Sequence, residues 1–190
     1  MAEKFDVLNE LGEFTGQVAS REDCHKKGLW HRAVYAFIID KNSNVLLQKR
    51  SKEKKLWPNL WDVTLGGHVD SGEFGRQALI REAKEELGIE LSLDDIIDTF
   101  VVNRRNKSLL PYYDVYFEVS KYKGDIKINE PEKCSELVWC DINKLPEDMI
   151  DFEIEAIKNN QKGIKFSVID TDNEKKINKE ESEAMNNEIK

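Results

Sequence analysis

Cysteine is scarce in this chain of 190 residues, and its three cysteines, Cys24, Cys134 and Cys140, are odd in number and unpaired by any short spacing. That excludes the disulfide scaffold of a small secreted domain. No N-terminal signal peptide is recognisable, so the reading is a cytoplasmic protein with reduced thiols. No apolar run approaches the ~20 residues that span a bilayer, and no membrane partner is expected. No basic stripe stands out, and the formal net charge is −8, which argues against a nucleic acid polymer as the partner. Internal repeats are absent as well. What remains is a chain at 39% hydrophobic residues, enough for one well-packed domain.

Along the chain, FDVLNE and TGQVAS flank the turn-prone Glu10-Leu11-Gly12 and read as a small N-terminal hairpin. A polar stretch, REDCHKKGLWHR, leads into the strand RAVYAFIID, and Asn42-Ser43-Asn44 turns it into NVLLQKR. The loop SKEKKLWPNLW, its path fixed by Pro58, is followed by WDVTLGGH, read as one short strand. LSLDDIIDTFVVNRR and YYDVYFEVSKY read as two further strands, and the acidic loop INEPEKCSE leads to the strand LVWC. Helical structure is expected from Asp141 and Pro146 through Phe152, Ile154, Ile157 and Lys158. From Asp170 the chain is highly charged, a frayed helix or a disordered tail. The domain reading is a hairpin extension over residues 1–28, a main domain over 29–165 and a charged tail over 166–190.

The segment GHVDSGEFGRQALIREAKEELGI, residues 67 to 89, is the most informative. It holds a glycine turn, an isolated Glu73, and a helix closed by Gly88. At about 100° per residue, Glu82, Glu85 and Glu86 share one arc of that helix, while Ile80, Ala83 and Leu87 can face a core. Glu and Lys also furnish ordinary solvated helices. Three clustered carboxylates are nonetheless a candidate site for a hard divalent cation, which takes oxygen ligands and substrate phosphates.

The full pattern resembles the Nudix box, G-x5-E-x7-R-E-U-x-E-E-x-G-U with U a bulky or aliphatic residue. Its positions are Gly67, Glu73, Arg81, Glu82, Ala83, Glu85, Glu86, Gly88 and Ile89, with Ala83 small for its place. The resemblance implies an α+β Nudix fold, an α/β/α sandwich around a mixed sheet, here with an N-terminal β-hairpin extension. It also implies an enzyme, a pyrophosphohydrolase cleaving a nucleoside diphosphate derivative or a related organic pyrophosphate with Mg²⁺, or alternatively Mn²⁺. In that reading Gly67, Glu82, Glu85 and Glu86 hold the metal, the first through its backbone carbonyl. Glu82 is the first candidate for general base, with Glu132 and Glu136 as rivals, and Arg81 pairs with Glu73 to orient the cluster.

Residues 24 to 141 also resemble type 1 isopentenyl diphosphate isomerase, which shares the Nudix fold. The shared segments include His25, His31, KKLWPNLWDVTLGGH and VWCDI. In that enzyme three histidines and two carboxylates hold a metal, and a motif cysteine moves the proton. His25, His31 and His68 align with the histidines, but Gly66 stands at the cysteine position, and Tyr112 and Asp114 replace the glutamate pair. The chain therefore reads as a hydrolase of the isomerase-like branch. The alternatives are the isomerase itself and a non-catalytic ligand-binding Nudix module, which would be expected to lose box carboxylates.

Substrate contacts are expected from His68, Lys49, Arg50, Trp57 and Trp61, through phosphate pairing or stacking on a base. Trp30, Lys54 and Lys55 are further candidates, and Arg104, Arg105 and Lys107 form a second basic knot. The partner is a small-molecule diphosphate. A homodimer is left open, with the N-terminal hairpin as a conceivable edge.

Overall fold

The computed structural model describes residues 3–105 and 112–170. Among these residues ten strands and three α-helices form a β-hairpin followed by an α+β sandwich around a mixed sheet. The hairpin pairs β1 (Lys4–Leu8) with β2 (Phe14–Ser20), and α1 (Arg21–Lys27) follows directly. Helix α1 falls within the polar stretch REDCHKKGLWHR, where composition alone implies no helix. Yet Ser20 caps it by accepting the Asp23 N–H, and Gly28 ends it in the left-handed conformation.

The main sheet orders its strands β10-β7-β8-β3-β6. Strand β3 (Arg32–Ile38) lies parallel to β8 (Tyr112–Val119) and antiparallel to β6 (Leu65–His68). Strand β7 (Ile96–Arg105) runs antiparallel to β8 and parallel to β10 (Phe166–Asp170). A second, antiparallel sheet joins β5 (Trp61–Val63), β4 (Asn44–Arg50) and β9 (Cys134–Asp141).

WDVTLGGH is thus two strands in two sheets. The change of sheet falls at buried Thr64, whose hydroxyl donates to the Leu46 carbonyl and accepts the Ile38 amide. Helix α3 spans Asp151–Gln161, starting later than the Asp141 and Pro146 signals implied. Residues 166–170, assigned by composition to the charged tail, form β10 at the edge of the main sheet. The tail from 171 lies outside the described residues.

Side-chain alternation divides the core. Val34, Ala36 and Ile38 of β3 point toward α2 (Gly75–Leu87), meeting Ala78, Leu79, Ala83 and Leu87. Phe37 of β3 and Tyr116 of β8 point the other way, into a second cluster with Val45, Leu47, Phe152 and Ile157 between the sheets and α3. Burying a side chain such as Leu79 completely stabilises the fold by about 1.5–3 kcal/mol. The same alternation governs β6: Leu65, Gly67 and Val69 face α2, whereas Gly66 lies over the ring of Tyr35. That strand holds the functional residues of both faces.

Candidate active site

Helix α2 has no acidic residue in its first turn and ends at Gly88, whose φ of 69° is the left-handed geometry that glycine adopts without strain. Its apolar residues fix its rotation on the sheet, and that rotation presses Glu82 against Gly67 of β6. A Cβ built at Gly67 would overlap the Glu82 carboxyl group, so only glycine leaves the carboxylate in place. One turn on, the Glu86 side chain is also largely withdrawn from solvent, with an exposure of 11% against 10% for Glu82. Glu85, at 54%, stands at the rim.

Arg81 organises this group. Its guanidinium donates to Glu73 at 3.1 and 3.3 Å, to Glu82 at 2.6 Å, to Glu85 at 3.1 Å and to the His68 carbonyl at 3.0 Å. The ion pair expected between Arg81 and Glu73 is present, and one cation ties three carboxylates to the end of β6. Burial opposes the charge on Arg81, but Glu73 and Glu82 outweigh it and raise its pKa.

The carboxylates respond differently. Burial raises the Glu82 pKa although Arg81 pulls it down. Burial, reinforced by the charge of Glu82, pushes Glu86 up to about 8. Glu86 Oε2 is buried with no hydrogen-bond partner among the described residues. Two buried carboxylates facing a glycine strand, one of them short of partners, suit a hard divalent cation.

A cleft opens beside Glu86, lined by Gln48, Glu86, Leu87, Glu130, Lys133 and Cys134. Lys133 Nζ is 3.8 Å from Glu86 Oε1 and 2.8 Å from Glu130 Oε2. Glu130 and Lys133 were not among the sequence candidates, whereas Glu132 and Glu136, which were, are exposed. A partly buried Lys54 has its pKa lowered by burial first and then by Arg50 and Lys133, while Glu86 raises it. The amine therefore belongs to the same electrostatic neighbourhood as the carboxylates.

The remaining candidates have partners of their own. Arg50 donates to Asp62 at 2.8 Å and to the Leu56 carbonyl, and it lies 5.9 Å from the Trp57 ring. Trp57 meets Phe152 edge-on at 5.5 Å. Trp61 is buried in the core, with Lys49 Nζ 5.1 Å from its ring. Trp30 packs against Tyr113 at 5.7 Å. Arg104 is not part of an exposed knot: it is buried, bound by two hydrogen bonds to fully buried Asp114, and Lys107 lies outside the described residues.

His68 points away from α2. Its ring stacks on Phe5 at 4.7 Å and lies 5.3 Å from His25 and 5.2 Å from His31. Burial, then the neighbouring His31, depresses its pKa to about 2. At Gly66 a Cβ would sit 2.9 Å from the Tyr35 ring, so a cysteine there would have to displace that ring.

A carboxylate-bearing helix laid against a glycine strand of a mixed sheet gathers oxygen donors of the kind a hard divalent cation takes. A family model for the NUDIX domain matches residues 29–159, and the chain belongs to the Nudix family. Nudix hydrolase 3 of Arabidopsis thaliana is 40% identical over 100 residues, 52% of this chain and 13% of that protein. An uncharacterized Nudix hydrolase of Listeria monocytogenes is 40% identical over 91 residues, 48% of this chain and 54% of the relative. The matched segment thus spans about half of that bacterial relative and a small part of the plant protein. The crystal structure of DR0079 from Deinococcus radiodurans superposes with a TM-score of 0.63 at 25% identity, covering 83% of this chain and 98% of that one. A MutT protein from Methanosarcina mazei shares the fold, with a TM-score of 0.60 at 22% identity over 70% of this chain and 93% of its own.

Proposed function

We propose that this chain is a divalent-metal-dependent hydrolase that breaks a phosphoanhydride bond in a nucleoside diphosphate derivative or a related organic pyrophosphate. The observation that carries the reading is the apposition of Glu82 and Glu86 to Gly67, which gathers oxygen donors where a side chain would have filled the space. Glu82, Glu86, Glu85 and the Gly67 carbonyl would hold Mg²⁺ or Mn²⁺. Such an ion, when bound, neutralises phosphate oxygens and lowers the pKa of water.

The chain's own residues divide the remaining work. Arg81 holds Glu73, Glu82 and Glu85 in place through its fan of hydrogen bonds. Glu130, beside Glu86 and paired with Lys133, is the loop carboxylate best placed to take a proton from water. It displaces Glu132 and Glu136 as the rival to Glu82. Lys54 and Lys133 supply positive charge for a diphosphate.

Two alternatives are weaker on specific grounds. Isomerisation of isopentenyl diphosphate lacks its cysteine at Gly66, where the Tyr35 ring also obstructs one. A non-catalytic module would have no use for a complete set of box carboxylates, and this chain retains them all. The test is a screen for orthophosphate and pyrophosphate release from nucleoside diphosphate derivatives, nucleoside triphosphates and isopentenyl diphosphate, with Mg²⁺ or Mn²⁺. Metal-dependent release that disappears with a chelator is expected. Double-bond migration in isopentenyl diphosphate without phosphate release would overturn the hydrolase reading.

A further inference from the structure

The loop between β6 and α2 carries Glu73, and the N-terminal hairpin grips it from outside. Asp70 to Glu73 make a tight turn, closed by the Glu73 amide donating to the Asp70 carbonyl at 2.9 Å, with Gly72 at a φ of 81°. Strand β1 reaches both central residues of that turn. The Ser71 amide donates to the Lys4 carbonyl at 2.8 Å, and the Ser71 hydroxyl donates to Asp6 Oδ1 at 2.7 Å. Asp6 Oδ2 accepts the Gly72 amide at 3.3 Å and Arg32 Nη2 at 3.0 Å, which ties the same carboxylate to β3. The Asp6 side chain is largely withdrawn from solvent, so little water competes for these bonds.

From the turn a line of bonds runs to the carboxylates of α2. Glu73 accepts the Asp70 amide at 3.2 Å and takes two of the five bonds that Arg81 donates. Two more go to Glu82 and Glu85, and the fifth to the His68 carbonyl. Lys4 and Asp6 precede residues 29–159, the Nudix part of the chain, so the grip comes from outside that span.

We infer that Asp6 is a positioning residue of the candidate active site, a role that rests on the hydrolase reading of the carboxylates. Through the Ser71–Gly72 turn it fixes Glu73 and thereby Arg81, which keeps Glu82 and Glu85 open to a divalent cation. The physical basis is competition for the carboxylates. With Glu73 in place, one edge of the guanidinium is turned away from Glu82 and Glu85. A Glu73 that drifts with its turn releases that edge, and the freed cation closes on the carboxylates that a metal would need.

The experiment titrates Mn²⁺ into the full chain without substrate and follows the bound ion by electron paramagnetic resonance. Glu73→Ala should weaken Mn²⁺ binding at least about 10-fold, as loss of a group that orients ligands does. Asp6→Ala should weaken it by about 3-fold or more, less than Glu73→Ala because it acts through Glu73. Ser71 is exposed, so Ser71→Ala cuts the same line without disturbing packing and should weaken binding likewise. Asp6→Asn should restore most of the affinity, since it keeps an oxygen for the Gly72 amide and can donate to the Ser71 hydroxyl. In the Glu73→Ala background, Asp6→Ala should add no further loss, because the line is already broken. Amide exchange at Gly72 and Glu73 should quicken in Asp6→Ala with or without metal.

Thr15→Val removes a hairpin bond to the Val7 carbonyl of 2.8 Å and should change neither Mn²⁺ affinity nor exchange in the turn. A wild type that binds no Mn²⁺ would defeat the hydrolase reading and the role of Asp6 with it. A wild type that binds Mn²⁺ while Asp6→Ala and Ser71→Ala bind it equally well would overturn the role of Asp6 alone. So would an Asp6→Ala loss that persists in full without Glu73, or a Thr15→Val loss of the same size.

Discussion

Gly67 and Glu82 occupy one another's space: all three atoms nearest to a Cβ at Gly67 belong to the Glu82 side chain. The neighbour that must yield is a flexible carboxylate, so Gly67→Ala should fold with a melting temperature close to wild type. The displaced carboxylate should weaken the Mg²⁺ dependence and reduce kcat by about 10²-fold or more. Thermal melting together with kcat measured across a Mg²⁺ titration checks this. A variant with undiminished kcat would show that Glu82 need not lie against β6.

Glu86 and Glu130 flank one cleft with Lys133 between them. Glu86→Gln should raise the Mg²⁺ concentration needed for half-maximal rate, because it removes a ligand. Glu130→Gln should leave that concentration nearly unchanged and lower kcat by about 10²–10⁴-fold, the range for loss of a general base. Exposed Glu132 and Glu136 should tolerate the same replacement. Equal, small effects at all three loop positions would return the role of base to Glu82.

Legibility in the sequence followed the range of the interactions. The box helix and its carboxylate arc could be read because 3.6-residue periodicity and the Gly88 cap are local. Helix α1 carried local signals too, Ser20 three residues before Asp23 and Gly28 at its end, but six of its seven residues are polar and Cys24 alone makes no apolar stripe to support them. Glu130 was hidden for a different reason. Its approach to Glu86 depends on its neighbour Asn129, whose backbone N–H donates at 3.0 Å to the carbonyl of Glu86, far away in sequence. The division of WDVTLGGH at Thr64 likewise rests on partners 18 and 26 residues away. Strand β10 acquires its place only through parallel pairing with β7.

Arg104 and Asp114 are a buried ion pair, and a cation left alone there is costly. Asp114→Ala should destabilise the fold by about 3–5 kcal/mol in urea unfolding. The guanidinium also lies 4.4 Å from the Phe152 ring, linking β7 to α3. Replacing both partners, Arg104→Met with Asp114→Leu, should recover much of that loss, since no charge is then stranded. A double variant as unstable as the single one would indicate that geometry, rather than charge pairing, is the pair's contribution.

Glu153 is buried completely, and its carboxyl accepts the Tyr116 hydroxyl at 3.0 Å on one oxygen only. Burial, then the charges of Asp62 and Asp114, raises its pKa well above the ordinary 4.5. The folded protein therefore keeps a proton that the unfolded chain releases above 4.5. With more protons bound in the native state, stability must fall as pH rises through that window, by up to about 1.4 kcal/mol per pH unit. Glu153→Gln retains an acceptor for Tyr116 and removes the titration. Its melting temperature relative to wild type should thus increase as the pH rises above the ordinary carboxyl value of 4.5. Parallel profiles for the two proteins would mean that Glu153 is ionised in the fold, with Arg104 as a compensating charge.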